Sequence, residues 1–133
     1  MELDHFYLKN YDSQNYNCAH FIADVYSHIY GKEAKRLISK FILPFESSVS
    51  KLSIRRHFKQ IKTAQENCLV VFHGRRSDNH VGVFIMGKVF HINSKYGVQL
   101  QSLSTLEIGF DYVKFYEYAC SDKRHLGSKR MGD

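Results

Sequence analysis

Apolar residues recur at helical spacing in the first half of the chain, and they gather in short strand-like runs in the second half. Asn17 is a good helix N-cap, and Gly31 suits the end of the same helix. A second helix is predicted over residues 33–42, since Pro44 cannot continue it. A third predicted helix ends near residue 65 and carries the apolar residues Leu52, Ile54, Phe58 and Ile61.

The second half of the chain predicts an antiparallel sheet. Its apolar runs are separated by turn-forming residues, and the last run alternates between apolar and polar side chains. The predicted strands cover residues 68–72, 80–85, 89–93, 98–101 and 111–118. Helices followed by strands predict an α+β domain in which N-terminal helices pack on the sheet. The single domain is placed at residues 1–120, and the basic segment 121–133 is predicted to be a disordered tail.

Charge, cysteine spacing and the N-terminal sequence argue against several classes of function. The formal charge is +6, but no nucleic-acid-binding motif is present, so a solvated basic surface is the simpler interpretation. The three cysteines are widely spaced and form no CxxC pair, which argues against a disulfide framework or a structural zinc site. The N-terminus has no apolar segment, so we expect cytoplasmic synthesis without a secretion signal and no membrane association.

Cys18 is the candidate nucleophile because it falls in the first turn of the predicted helix. Helix N-termini carry unpaired N–H groups and partial positive charge, and both favour thiolate over thiol. Cys68 and Cys120 lie in or beside apolar strand sequence and are expected to be unreactive.

His80 is the candidate base for that thiol. It begins a predicted strand directly after a turn, and Gly82 behind it leaves room for another group to approach. A third polar residue usually orients such an imidazole, and His91 or Asn93 could do so from the next strand. If that hairpin turns on Met86-Gly87, Asn93 lies opposite His80, whereas a turn on Ile85-Met86 places His91 there. A turn centred on Met86 would put both residues off the face of His80.

Five segments resemble the NlpC-type cell-wall peptidases. The run Tyr16-Asn-Cys-Ala-His-Phe-Ile22 is similar to the family's Asp-Cys-Ser-Gly-Phe-Val motif, and His80-Val-Gly-Val-Phe-Ile85 is similar to its His-Val-Gly-Ile-Tyr-Leu strand. Residues 68–72 resemble the family's preceding strand, and residues 89–92 resemble the strand that carries its third catalytic residue. Residues 96–100 look like the short versions carried by tailed phages. Asn17 and the pair Ala19-His20 depart from the family's usual residues.

The resemblance implies a papain-like fold and a cysteine amidohydrolase that cleaves peptidoglycan stem peptides. Cys18 would be the nucleophile, His80 the base and His91 the orienting residue, and no metal or cofactor is implied. The family's tyrosine upstream of the cysteine could be Tyr7 or Tyr11. Partners would be peptidoglycan or another amide substrate and a protein assembly such as a phage tail, which could deliver the chain to the cell wall. An acyltransferase or deamidase on the same fold, and a non-catalytic binding module, are the alternatives.

Overall fold

Two consecutive helices form one layer of the structure, a computed structural model that describes residues 2–42, 57–74 and 79–118. A short 3₁₀ helix at Asp4–Leu8 precedes them. Helix α1 spans Cys18–Tyr30 and helix α2 spans Lys32–Ile42. Gly31 separates the two helices with φ 103°, a left-handed conformation that glycine adopts without a Cβ penalty. Both predicted helices are therefore confirmed to within one residue at their ends.

The second layer is a six-stranded sheet in which every neighbouring pair is antiparallel. The strand order across the sheet is β1-β6-β2-β3-β4-β5. The strands are β1 Phe58–Ile61, β2 Leu69–His73, β3 His80–Ile85, β4 Lys88–Asn93, β5 Gly97–Gln101 and β6 Tyr112–Tyr118. This arrangement confirms the α+β prediction, with helices preceding an antiparallel sheet.

The predicted third helix is wrong from Phe58 onward, whereas the preceding His57 is helical. Phe58 and Ile61 have the three-residue spacing of a helix, but they lie in strand β1, which pairs with β6. Phe58 pairs with Tyr118, and both rings also contact Tyr26 of α1. Cross-strand aromatic packing therefore decides the conformation of this short segment. Leu52 and Ile54 lie outside the described residues.

A short helix, α3, at Leu103–Glu107 was not predicted. Ser102 caps it, because its hydroxyl accepts a hydrogen bond from the backbone N–H of Thr105. The predicted domain boundary at residue 120 and the basic segment 121–133 lie outside the described residues. No helix in the three described ranges is long and apolar enough to cross a membrane.

The two faces of the sheet pack against different parts of the chain. Helix α1 contributes Phe21, Ile22 and Val25 to the larger core, which includes Val83 and Phe90 of the sheet. The opposite face forms a smaller apolar cluster that includes Val70, Phe72, Val89, Leu106 and Phe110. Residues that alternate along β3 and β4 therefore belong to different clusters.

Candidate active site

Cys18 is the first residue of α1, and the residues around it hold that helix start in place. The Asn17 side chain accepts hydrogen bonds from the backbone N–H groups of Ala19 and His20, at 2.9 and 3.4 Å. In return, His20 Nδ1 accepts from the backbone N–H of Asn17 at 3.2 Å. This reciprocal pair is a capping box with histidine in the position that glutamate usually occupies. His20 is thus explained as a capping residue.

The sulfur of Cys18 lies beside the beginning of strand β3. Backbone N–H groups of Val81, Ala19 and Cys18 interact with it. Burial nevertheless raises the pKa of the Cys18 thiol above its ordinary value, and these three hydrogen bonds offset only part of the increase. The expectation that the helix start makes Cys18 a thiolate is therefore corrected: the resting form is the neutral thiol.

A surface pocket of about 350 Å³ brings Cys18 and His80 together. The two residues come from α1 and β3, and only the tertiary fold joins them. The rest of the lining comes from the segment before α1, the ends of β3 and β4, and the turn after α3. These lining residues are Tyr11, Asn79, Ile92, Asn93, Ser94 and Phe110.

His80 is hydrogen-bonded to His91. His80 Nε2 and His91 Nδ1 are 2.9 Å apart, and the two rings are nearly perpendicular at 87°. His91 is only 1% exposed, and it is not among the residues that line the pocket. Because Nε2 of His80 is engaged with His91, Nδ1 is the ring nitrogen available to Cys18.

The contact between these histidines is diagonal across the hairpin. The turn falls on Met86 and Gly87, both with positive φ, and Phe84 pairs with Val89. This is the register in which the sequence argument placed Asn93, and not His91, opposite His80. The expectation that the directly opposed residue would contact His80 is wrong, because diagonal neighbours on one face are also within reach of large side chains.

Gly82 and Asn93 explain why the diagonal pair forms. A Cβ at Gly82 would lie 3.3 Å from His91 Cβ and 2.5 Å from Val89 Cγ1, so only glycine leaves this space open. The Asn93 side-chain oxygen is occupied, because it accepts from the backbone N–H groups of Lys95 and Tyr96. Asn93 thus shapes the β4–β5 turn and lines the pocket.

Two further residues complete this arrangement, and the sequence analysis did not identify either. The Gln101 side-chain oxygen is 2.6 Å from His91 Nε2, on the far side of the ring from His80. Phe110 stacks on His80 with an interplanar angle of 10° and a centroid distance of 6.2 Å. Gln101 lies on the same strand face as Gln99, so the alternation along β5 could have drawn attention to it. Phe110 follows α3 and carries no comparable signal.

Burial controls the protonation of both histidines. Burial, together with the nearby His91, lowers the pKa of His80 to about 3. Burial also lowers the pKa of His91, and its hydrogen bond to Gln101 works in the opposite direction. Both imidazoles are therefore neutral at physiological pH, which matches the neutral thiol of Cys18.

The other candidate residues from the sequence, two tyrosines and two cysteines, differ in their position relative to the pocket. Tyr11 lines the pocket with Cys18, whereas Tyr7 packs its ring against Phe90. Cys68 is 2% exposed, in line with an unreactive thiol, and Cys120 lies outside the described residues. Among the described side chains, no group of three or more His, Cys, Asp or Glu could hold a metal ion.

No protein-family model matches the chain, and no curated protein shows significant similarity to it. The chemical capability of the site therefore follows from its own geometry. A thiol and an imidazole share a pocket, backbone N–H groups surround the sulfur, and a buried second imidazole holds the first. Such a set of groups can support nucleophilic attack by sulfur with proton transfer to a neighbouring base.

Proposed function

We propose that this chain is a papain-like cysteine hydrolase that cleaves amide bonds. The observation that carries the proposal is the shared pocket of Cys18 and His80, with His80 held by the buried His91. A cysteine at the start of a helix that packs on an antiparallel sheet, with a histidine on that sheet, is the arrangement expected of such a fold. The resemblance of residues 16–22 and 80–85 to NlpC-type peptidases supports the same assignment.

The chemistry begins from neutral groups. As Cys18 sulfur attacks the amide carbonyl, its proton passes to His80 Nδ1, so the two charges arise together in the same pocket. The carbonyl oxygen becomes an oxyanion that the backbone N–H of Cys18, at the helix start, can stabilise. His80 then gives the proton to the leaving amine, and the C–N bond breaks to leave a thioester on Cys18.

Water resolves the thioester. His80 removes a proton from the attacking water, the carboxylic acid product leaves, and the proton returns to the Cys18 sulfur. His91 stays outside the pocket and acts on His80 alone. An acyltransferase would replace water with another nucleophile, and a deamidase would release ammonia from a side-chain amide.

The proposed substrate is the stem peptide of peptidoglycan. Two observations support it: the resemblance to cell-wall peptidases, and the formal charge of +6, which suits an anionic wall polymer. The polar side chains of Asn79, Asn93 and Ser94 in the pocket lining can hydrogen-bond a peptide backbone. Action in the wall would fit delivery as part of a larger assembly such as a phage tail.

The test is digestion of purified peptidoglycan fragments, with mass spectrometry of the products. Wild-type protein and the matched control Cys68→Ala should both release fragments shortened at one amide bond, and Cys18→Ala should release none. Activity retained by Cys18→Ala would refute the proposal. If peptidoglycan of no type is cleaved while another amide or acyl donor is turned over, the proposed substrate class is wrong, but the assignment of Cys18 as nucleophile is retained. If no covalent Cys18 species forms with any acyl donor, the chain is a binding module.

A further inference from the structure

The hydrogen bonds around His91 determine which ring nitrogen of His91, and in turn of His80, carries the proton. His91 Nε2 lies 2.6 Å from the side-chain oxygen of Gln101, which can only accept. With this oxygen as its partner, His91 carries its proton on Nε2. A neutral His91 then has a bare Nδ1, which accepts from His80 Nε2 at 2.9 Å.

His80 is constrained in turn. With its single proton on Nε2 and directed at His91, its Nδ1 is unprotonated and can accept the proton of Cys18. Without an acceptor at residue 101, the proton of His91 could sit on either nitrogen. If it moved to Nδ1, it would point at His80 Nε2, and the His80 proton would move to Nδ1 and block the base.

We propose that Gln101 is a positioning residue that acts through His91 to hold His80 in the tautomer with a free Nδ1. The inference rests on the proposed function, because a free Nδ1 matters only if His80 is the base for Cys18. Burial strengthens the effect of Gln101 on the His91 tautomer. Because His91 is 1% exposed, water does not supply a competing acceptor.

Nitrogen-15 NMR of the histidine side chains tests this without any substrate. In wild-type protein at pH 7, His80 and His91 should each show one neutral tautomer with the proton on Nε2. Gln101→Leu removes the acceptor at similar side-chain volume, and a second tautomer should then appear at both histidines. Gln60→Leu, the same substitution on the exposed side of β1, should leave the spectrum unchanged.

Kinetics gives a second readout. Gln101→Leu should lower kcat by roughly 10- to 100-fold, with little change in KM. This is the range of losses seen when the hydrogen-bond partner of a metal-bound histidine is removed. A wild-type spectrum with a proton on Nδ1 of either histidine overturns the proposal, even if Gln101→Leu fails to fold. An unchanged spectrum in folded Gln101→Leu also overturns it. Correct tautomers in a protein that cleaves nothing would instead mean that the proposed function has failed.

Discussion

His80 and His91 meet diagonally across the β3–β4 hairpin, with 2.9 Å between their nearest ring nitrogens, in the space that Gly82 leaves open. The glycine is a steric requirement, since a Cβ there would come within 2.5 Å of Val89 Cγ1 and 3.1 Å of the Phe90 carbonyl oxygen. The candidate site thus depends on a residue that contributes no chemistry of its own.

Gly82→Ala should therefore weaken both the fold and the histidine contact. Overpacking of this kind typically costs about 1–3 kcal/mol of unfolding free energy, which urea denaturation would measure. We also expect a lower kcat, because Val89 and His91 must move. Gly109→Ala is the matched control, since a Cβ there would meet only the Leu106 carbonyl oxygen at 3.8 Å. Equal stability losses in the two variants would contradict the steric account.

Asn17 supports the helix start that carries Cys18. Asn17→Ala removes the side-chain acceptor for two backbone N–H groups and should lower the unfolding free energy by about 1 kcal/mol. Asn17→Asp keeps an acceptor oxygen and should retain most of that stability. Thermal denaturation of the two variants compares them directly. If Asn17→Ala is as stable as the wild type, the capping interaction contributes nothing.

The thiol of Cys18 should behave as a protected neutral group. Because burial raises its pKa, alkylation by iodoacetamide should be slow at pH 6 and should rise with a midpoint above the ordinary value of about 8.5. Cys68 should react more slowly than Cys18, since it is 2% exposed and lies away from the pocket. Peptide mapping after timed labelling would give both rates. A midpoint for Cys18 below about pH 7 would show that a thiolate is already present at rest.

Acid should destabilise the fold through His80. Its pKa is about 3 in the folded protein and near 6.5 when unfolded, so between these values the unfolded chain binds more protons. The unfolding free energy should therefore fall as the pH drops through this window, by up to about 1.4 kcal/mol per pH unit from this residue. His80→Gln should show a shallower dependence in urea titrations from pH 7 to pH 4. Parallel curves for the two proteins would contradict this assignment of His80.

The sequence predicted the parts of the fold that local patterns determine. Asn17 and Gly31 mark the ends of α1, and the apolar runs on either side of the turn at Gly87 mark the strands of the β3–β4 hairpin. Strand β1 was missed because Phe58 and Ile61 fit helical spacing, and their strand conformation depends on pairing with β6, a contact distant in sequence. Local spacing carries no information about such pairing.

The sequence proposed candidate residues for the site, but it did not predict the contact geometry of the histidines or the protonation state of Cys18. The family resemblance grouped Cys18, His80 and His91, whereas the sequence alone left the choice between His91 and Asn93 to the hairpin register, and the observed register puts Asn93 opposite His80. The choice of His91 depends on a diagonal contact over Gly82 and on Asn93 being occupied by its own turn. The protonation of Cys18 could not be predicted, because burial of the thiol is a property of the packed structure and outweighs the helix terminus.

Acid quenching during turnover tests the central claim most directly. Wild-type protein mixed with peptidoglycan fragments, quenched at low pH and mapped by mass spectrometry should carry a thioester on the peptide containing Cys18. The added mass would identify the acyl group and hence the cleaved bond. His80→Ala should form little of this adduct, and Cys68→Ala should form as much as the wild type. Product release without any adduct on Cys18, or an adduct on Cys68, would contradict the assignment of Cys18 as the nucleophile.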